Sequence, residues 1–186
     1  WLLDATSLKV QRKQTAAANV LRAWVLAGQT IAWTDDYRVR LLAPDGAQRA
    51  DLSCPGATSA VAGVAYSPAR TSPSPQPAQL AVGCYNGALL LWDLGPQGVL
   101  AQLALRPGDE RPATLNALAF SNDGALLATG DADGSINVWK RGHAAGAWLG
   151  MPARQAMGHG RAVRELAFHP TDNSLLATAS DDSRAR

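Results

Sequence analysis

Short alternations of apolar and polar residues, broken by Asp, Asn, Gly and Ser, run through most of the chain. Three segments line up. VAGVAYSP at 61–68 is followed by LAVGCYNGALLLWD at 80–93. LNALAFSNDG at 115–124 is followed by LLATGDADGSINVWK at 126–140. VRELAFHPTDN at 163–173 is followed by LLATASDDSRAR at 175–186. Each reads as an alternating run, a polar turn, a second short apolar run, an Asp or Asn turn and a third run. Alternation over four to eight residues predicts half-buried strands. Asn-Asp-Gly at 122–124 and Asp-Gly at 133–134 supply turns, because Gly and Asn tolerate positive φ. Val20 to Leu26 fits a further first strand, and Gly28 to Gly46 fits the second and third strands that follow it.

The spacing is regular. Trp92 and Trp139 stand 47 residues apart, and Leu115 and Val163 stand 48 apart. Short strands at this period predict a repeat architecture with four strands per unit.

The residues that recur resemble the WD-repeat family: Gly158-His159, then AFHP, then LLATASDD, and in the preceding unit LLATGDADGSINVW. The resemblance implies an all-β fold, a β-propeller of four-stranded antiparallel blades. About four blades are covered, as part of a ring expected to have seven. The expected blades are 1–15 (the end of one), 16–56, 57–108, 109–157 and 158–186 (truncated). The chain begins at Trp1 without Met and stops inside a third strand at Arg186. The expectation is therefore a segment of a larger propeller, prone to aggregate when expressed alone.

The family's hydrogen-bond relay joins a His, a Ser or Thr, an Asp and a Trp within each blade. Carried onto this chain, it implies His159, Thr178 and Asp182 in the last blade. It implies Thr129, Asp133 and Trp139 in the blade before, where Arg111 takes the His position. One blade earlier only Trp92 remains, with Asn86, Val82 and Ala57 at the other positions. The first full blade keeps Asp36, with Leu42 in place of Trp. Where the relay is lost, apolar packing is expected to replace it, since buried polar groups need partners.

Composition narrows the function classes. Hydrophobic residues are 47% and charged residues 17% of 186, enough for a packed core. The net charge of +2, with scattered arginines and only three lysines, does not make a nucleic-acid footprint. No apolar stretch is long enough to predict a membrane span, and the first ten residues have no apolar core of a secretory signal. Cys54 and Cys84 are too few for a disulfide framework and read as buried small hydrophobes or ordinary thiols rather than a redox pair. His143, His159 and His169 lack metal-ligand spacing, and Gly130 to Gly134 is a strand-to-strand turn rather than a calcium loop. The carboxylate pairs Asp35-Asp36 and Asp181-Asp182 are accounted for by turns and relay. The chain therefore carries no predicted catalytic residue, metal site or cofactor.

Two inserts exceed the repeat. Ser67 to Pro77, with prolines at 68, 73, 75 and 77, is either a solvated loop or a docking ligand for a Pro-binding domain. Arg141 to Trp148 joins third and fourth strands, with Trp148 either tucked or exposed. Propeller connectivity puts both on the face opposite the relay turns. On the relay side, the resemblance implies partner contacts at Asn116 and Arg164 at strand starts, and at Asp35, Tyr85, Ala132 and Asp181 just before the relay position. Tyr and Arg are enriched in binding hot spots. The expected function is a non-catalytic protein–protein interaction scaffold in the cytoplasm, a subunit of a larger assembly that binds other proteins and no membrane. The alternative is a sensing region of a multidomain signalling ATPase.

Overall fold

The computed structural model describes residues 2–3, 10–12, 20–26, 29–34, 38–43, 47–55, 60–71, 75–95, 98–106, 113–142, 148 and 154–186. The chain divides into two compact units, Trp1–Leu52 and Ser53–Arg186. Among the described residues every regular element is a strand.

In the first unit, β1 (Leu2–Leu3) pairs with β2 (Val10–Arg12). A four-stranded antiparallel sheet follows, in the order β3 (Val20–Leu26), β4 (Gln29–Thr34), β5 (Val39–Leu42) and β6 (Gln48–Asp51). Val39 and Leu41 are fully buried while Arg40 between them is not, the alternation a strand imposes on a sequence of this pattern. The chain past β6 is held by the Leu52 N–H donating to the Val39 carbonyl at 2.7 Å. An ion pair of Arg38 with Asp51 at 2.9 Å ties the solvent side of β5 to β6.

The second unit holds two four-stranded sheets and a pair. The first sheet runs β7 (Val61–Ser67), β8 (Ala78–Cys84), β9 (Leu89–Gly95) and β10 (Gly98–Arg106). The second runs β11 (Leu115–Phe120), β12 (Leu126–Asp131), β13 (Ser135–Lys140) and β14 (Arg154–Met157). β15 (Val163–Phe168) pairs with β16 (Leu176–Ser180). All pairings are antiparallel, and strands adjacent in sequence are adjacent in space.

Within the second unit the first strands lie against one another: β11 packs beside β7 on one side and β15 on the other. That approach is close. A Cβ on Gly83 would sit 2.6 Å from the Leu115 Cβ, and one on Gly130 would sit 2.7 Å from the Val163 Cβ. Gly83 and Gly130 hold the same place in the repeat, near the end of the second strand. No larger residue fits there without moving the neighbouring sheet. Apolar side chains fill the rest. Leu89, Leu91, Ala65 and Ala81 meet Leu115, Leu127 and Trp139 in one core. Ala117 and Ala128 meet Val163 and Leu166 in the next. Neither face of a single sheet could be buried alone, so the stacking supplies the core.

The turns repeat as closely as the strands. Gly87, Gly134 and Ser183 occupy equivalent positions with φ of 79°, 89° and 64°. Before each stands an Asx residue that closes the turn through its side chain. Asn86 Oδ1 accepts from the Ala88 N–H at 3.1 Å, Asp133 Oδ1 from Ser135 at 2.9 Å, and Asp182 Oδ1 from Arg184 at 3.0 Å. Asn does this work as well as Asp, because the turn needs an acceptor rather than a charge.

The cysteines correct the expectation of ordinary thiols. Cys54 and Cys84 form a disulfide, with Cα atoms 5.8 Å apart. The bond brings together residues 30 apart in sequence, one ahead of β7 and one at the end of β8. Cys84 is fully buried at that point. Closing a loop of this length removes unfolded-state entropy worth about 3–4 kcal/mol. Chemical denaturation with and without reductant should show a loss of that order on reduction, and Cys54→Ala should be insensitive to reductant. An unchanged midpoint would mean that the bond constrains nothing the fold does not already hold.

Candidate functional site

The described relay residues converge in the last repeat. The His159 ring is fully buried. Its Nδ1 lies 3.0 and 3.1 Å from the two carboxylate oxygens of Asp182, and its Nε2 lies 2.8 Å from Thr178 Oγ1. An ionised carboxylate only accepts, so Nδ1 carries the proton and Nε2 accepts from the Thr178 hydroxyl. The Asp182 carboxylate also accepts from the backbone N–H groups of Gly160 and Arg184. Desolvation pushes its pKa up, but the hydrogen bonds from His159, Gly160 and Arg184 and the field of His159 outweigh this and hold it at about 2.

The same histidine is fastened to the preceding repeat. Its backbone N–H donates to the Gly134 carbonyl at 3.2 Å, and a Cβ on Gly134 would collide with the His159 carbonyl. In that repeat the Trp139 indole N–H donates to Thr129 Oγ1 at 3.4 Å, both side chains being buried. Asp133 closes its turn, and Arg111 lies outside the described residues. One repeat earlier Trp92 is buried among apolar neighbours, with Val82 fully buried at the Thr position. Asp35 and Asp36 lie outside the described residues.

The imidazole, carboxylate and hydroxyl have the ingredients of an acid–base dyad. Their burial denies them a substrate: proton transfer needs a group within hydrogen-bond reach, and both ring nitrogens are already engaged. The arrangement is a structural lock.

Beside the lock lies an exposed cluster. The Arg164 guanidinium grips Asp181 through Nε at 2.9 Å and Nη2 at 2.6 Å, with both side chains largely in solvent. The hydrogen bonds that Arg164 donates to Asp181 hold the Asp181 carboxyl below its ordinary pKa and raise that of Arg164. The Tyr85 phenol is near enough to act on Arg164 electrostatically and is half exposed, unusual for so large a ring. Asn116 is half-buried on β11, and Ala132 is exposed at its turn. The backbone sets this spacing: the N–H groups of Tyr85, Ala132 and Asp181 donate to the carbonyls of Ala60, Thr114 and Ala162, each just ahead of a first strand.

The opposite end holds contacts that sequence reasoning missed. Arg70 and Gln76 bond each other's backbones at 2.9 Å, which closes the first insert into a hairpin. Arg141 Nη1 donates to Gln76 Oε1, which joins the two inserts. Trp148 is tucked in, edge-on to Phe120 with centroids 6.1 Å apart and 5.9 Å from the Arg141 guanidinium. Shared placement of the inserts on one face was legible from connectivity. The Arg141–Gln76 contact, across 65 residues, had no local signal.

Four-stranded blades stacked by their first strands, with a His–Thr–Asp lock at the blade turn, define a class. Residues 107–140 and 151–186 match the family model described as WD domain, G-beta repeat. These two stretches are WD repeats, and the fold of the chain is that of a β-propeller of four-stranded antiparallel blades. It is 33% identical over 98 residues to WD repeat-containing protein 91 of Danio rerio, covering 52% of this chain and 12% of that protein. It is 29% identical over 108 residues to histone acetyltransferase type B subunit 2 of Aspergillus fumigatus, covering 55% of this chain and 25% of that one. The chain thus spans a quarter or less of these relatives. The crystal structure of the computationally designed Ika4 protein matches with a TM-score of 0.60 at 21% identity, over 92% of this chain and 91% of that one, a likeness of fold alone. WD repeats mark, at a general level, a protein–protein interaction scaffold.

Two outcomes follow from the lock. Thr178→Val keeps the shape but leaves the buried His159 Nε2 without a partner, at a cost of about 1–3 kcal/mol; urea unfolding should register it. Asp182 has a folded pKa below its unfolded value of 3.8. Its contribution is therefore fully present above the unfolded pKa and is lost as pH falls through about 4 towards 2. Stability of the native protein should fall more steeply across that window than stability of Asp182→Asn.

Proposed function

We propose that this chain is a non-catalytic protein–protein interaction scaffold, a propeller segment that presents its relay-side loops to partners within a larger protein or complex. The observation that carries the reading is the cluster of Tyr85, Arg164 and Asp181, built on turns whose backbones are fixed and whose side chains are left in solvent. Tyr and Arg offer a large contact area and a fork of donors at small entropic cost. An exposed ion pair contributes only about 0–1 kcal/mol to folding, so the pair makes better sense as a recognition element than as a staple. Binding would let a partner carboxylate compete for the guanidinium while the Tyr85 ring packs beneath it. The partners are other proteins, and the relative described as a histone acetyltransferase subunit supports membership of an assembly. Membrane and nucleic acid play no part in this reading.

Affinity capture of the full-length protein tests this. Arg164→Ala and Tyr85→Ala should each reduce partner recovery about tenfold or more while leaving the melting temperature within about a degree. Thr171→Ala, on an exposed turn at the other end, should leave recovery unchanged. A drop of several degrees in Arg164→Ala would assign that residue to the fold, and undiminished recovery in both variants would overturn the reading.

A further inference from the structure

The repeats differ in how the end of the second strand is tied to the connector that precedes the first strand. In the last repeat the tie is polar. Ser180 Oγ donates to the Arg161 carbonyl at 3.0 Å and accepts from the Asp182 N–H at 3.2 Å. Cys84 ends β8 as Ser180 ends β16. There the tie is covalent, to Cys54 in the connector ahead of β7.

Two neighbouring residues hold that connector at two points. Cys84 holds Cys54 through the disulfide, and the Tyr85 N–H donates to the Ala60 carbonyl at 3.0 Å. Among the described residues Cys54 makes no hydrogen bond, and Pro55 after it has no N–H to give. The disulfide is therefore the bond that fastens the Cys54 end. Tyr85 follows Cys84 directly, in a turn closed by the Cys84 N–H to the Ala88 carbonyl and the Gly87 N–H to the Cys84 carbonyl, both at 3.0 Å. Ala132 and Asp181, at the equivalent turns, make the same backbone bond to a connector without any disulfide beside it. The two sulfur atoms are also unequal. Cys84 is fully buried and Cys54 is half-buried, so a thiolate reaches the bond from the Cys54 side.

We propose that the Cys54–Cys84 disulfide is a redox clamp on the Tyr85 turn: oxidised, it holds the turn ready to bind, and reduced, it releases it. The clamp rests on the reading of Tyr85 as a partner contact. Its reductant is a thiol of the glutathione class. A first thiolate attacks Cys54 Sγ, the Sγ–Sγ bond breaks, and Cys84 leaves as a thiolate and takes a proton. A second thiol attacks the reductant's sulfur in the mixed disulfide and frees Cys54 as a thiol. The protein gains two electrons and two protons, which two glutathione molecules supply as they join in glutathione disulfide. The change is local, because β8 and β9 keep their ladder and only the connector is unfastened. A turn that must be ordered on binding gives weaker affinity than one already held.

Amide hydrogen exchange of the native protein in oxidised and in reduced glutathione tests this. Reduction should speed exchange of the Tyr85 amide about tenfold or more, while the Ala132 and Asp181 amides change less than about twofold. Cys54→Ser should show the fast Tyr85 rate in both buffers. In affinity capture, reduction should lower partner recovery of the native protein severalfold and leave that of Cys54→Ser unchanged. Four results would overturn the clamp: a disulfide that glutathione does not open in the folded chain, an unchanged Tyr85 amide, equal acceleration of all three amides, or equal recovery in both redox states while Tyr85→Ala lowers it. Undiminished recovery in Tyr85→Ala would instead overturn the reading on which the clamp rests, with the exchange difference intact. Should the variant fail to fold, the native protein in the two buffers decides alone.

Discussion

One buried imidazole ties the C-terminal half of this molecule together. The ring of His159 spans from Thr178 on β16 to Asp182 in the turn beyond it, and its backbone N–H reaches back to Gly134 in the previous repeat. A single residue thus fixes the turn of its own blade and the distance to its neighbour. Its two ring nitrogens are both engaged, Nδ1 by a carboxylate and Nε2 by a hydroxyl. The exposed residues beside it inherit that rigidity. Arg164 and Asp181 stand on a strand and a turn that the lock holds in register, so their own weak pairing does not have to position them.

The second constraint is distance. Gly83 and Gly130 let the next first strand come within contact of the backbone, which a side chain would prevent. Close approach and the lock act on the same element: Gly130 ends the strand that leads into the Asp133–Gly134 turn, and that turn meets His159. Stacking and turn geometry are consequently one cooperative structure. A polar relay is not needed in every blade to maintain it. The blade of Trp92 replaces the Thr with a fully buried Val82 and keeps only the Asn86 turn.

Much of this was legible because it repeats. The apolar alternation and the Asx turns recur at a fixed period, which placed the strands, while His159, Thr178 and Asp182 were singled out by the resemblance to the WD-repeat family. Val20 to Leu26 carried the strand that the structure gives it. What escaped depends on chain path rather than on local pattern. Cys54 stands in a connector, and nothing near it in sequence says that it meets the end of β8. Arg141 and Gln76 belong to inserts outside the repeat, where periodicity gives no register. The Arg164–Asp181 fork was half visible: both residues stood out as candidates for partner contact, but their mutual grip follows from the pairing of β15 with β16.

Relay-side side chains are exposed on fixed turns and suit a protein partner. That reading rests on His159 as a doubly engaged strut rather than a reactive base. Its ring nitrogens report this directly in a 15N–1H correlation spectrum of the native protein near neutral pH. The account predicts a single slowly exchanging proton on Nδ1 and an unprotonated Nε2. A ring that averages between tautomers, or exchanges its proton as fast as one in solvent, would contradict it.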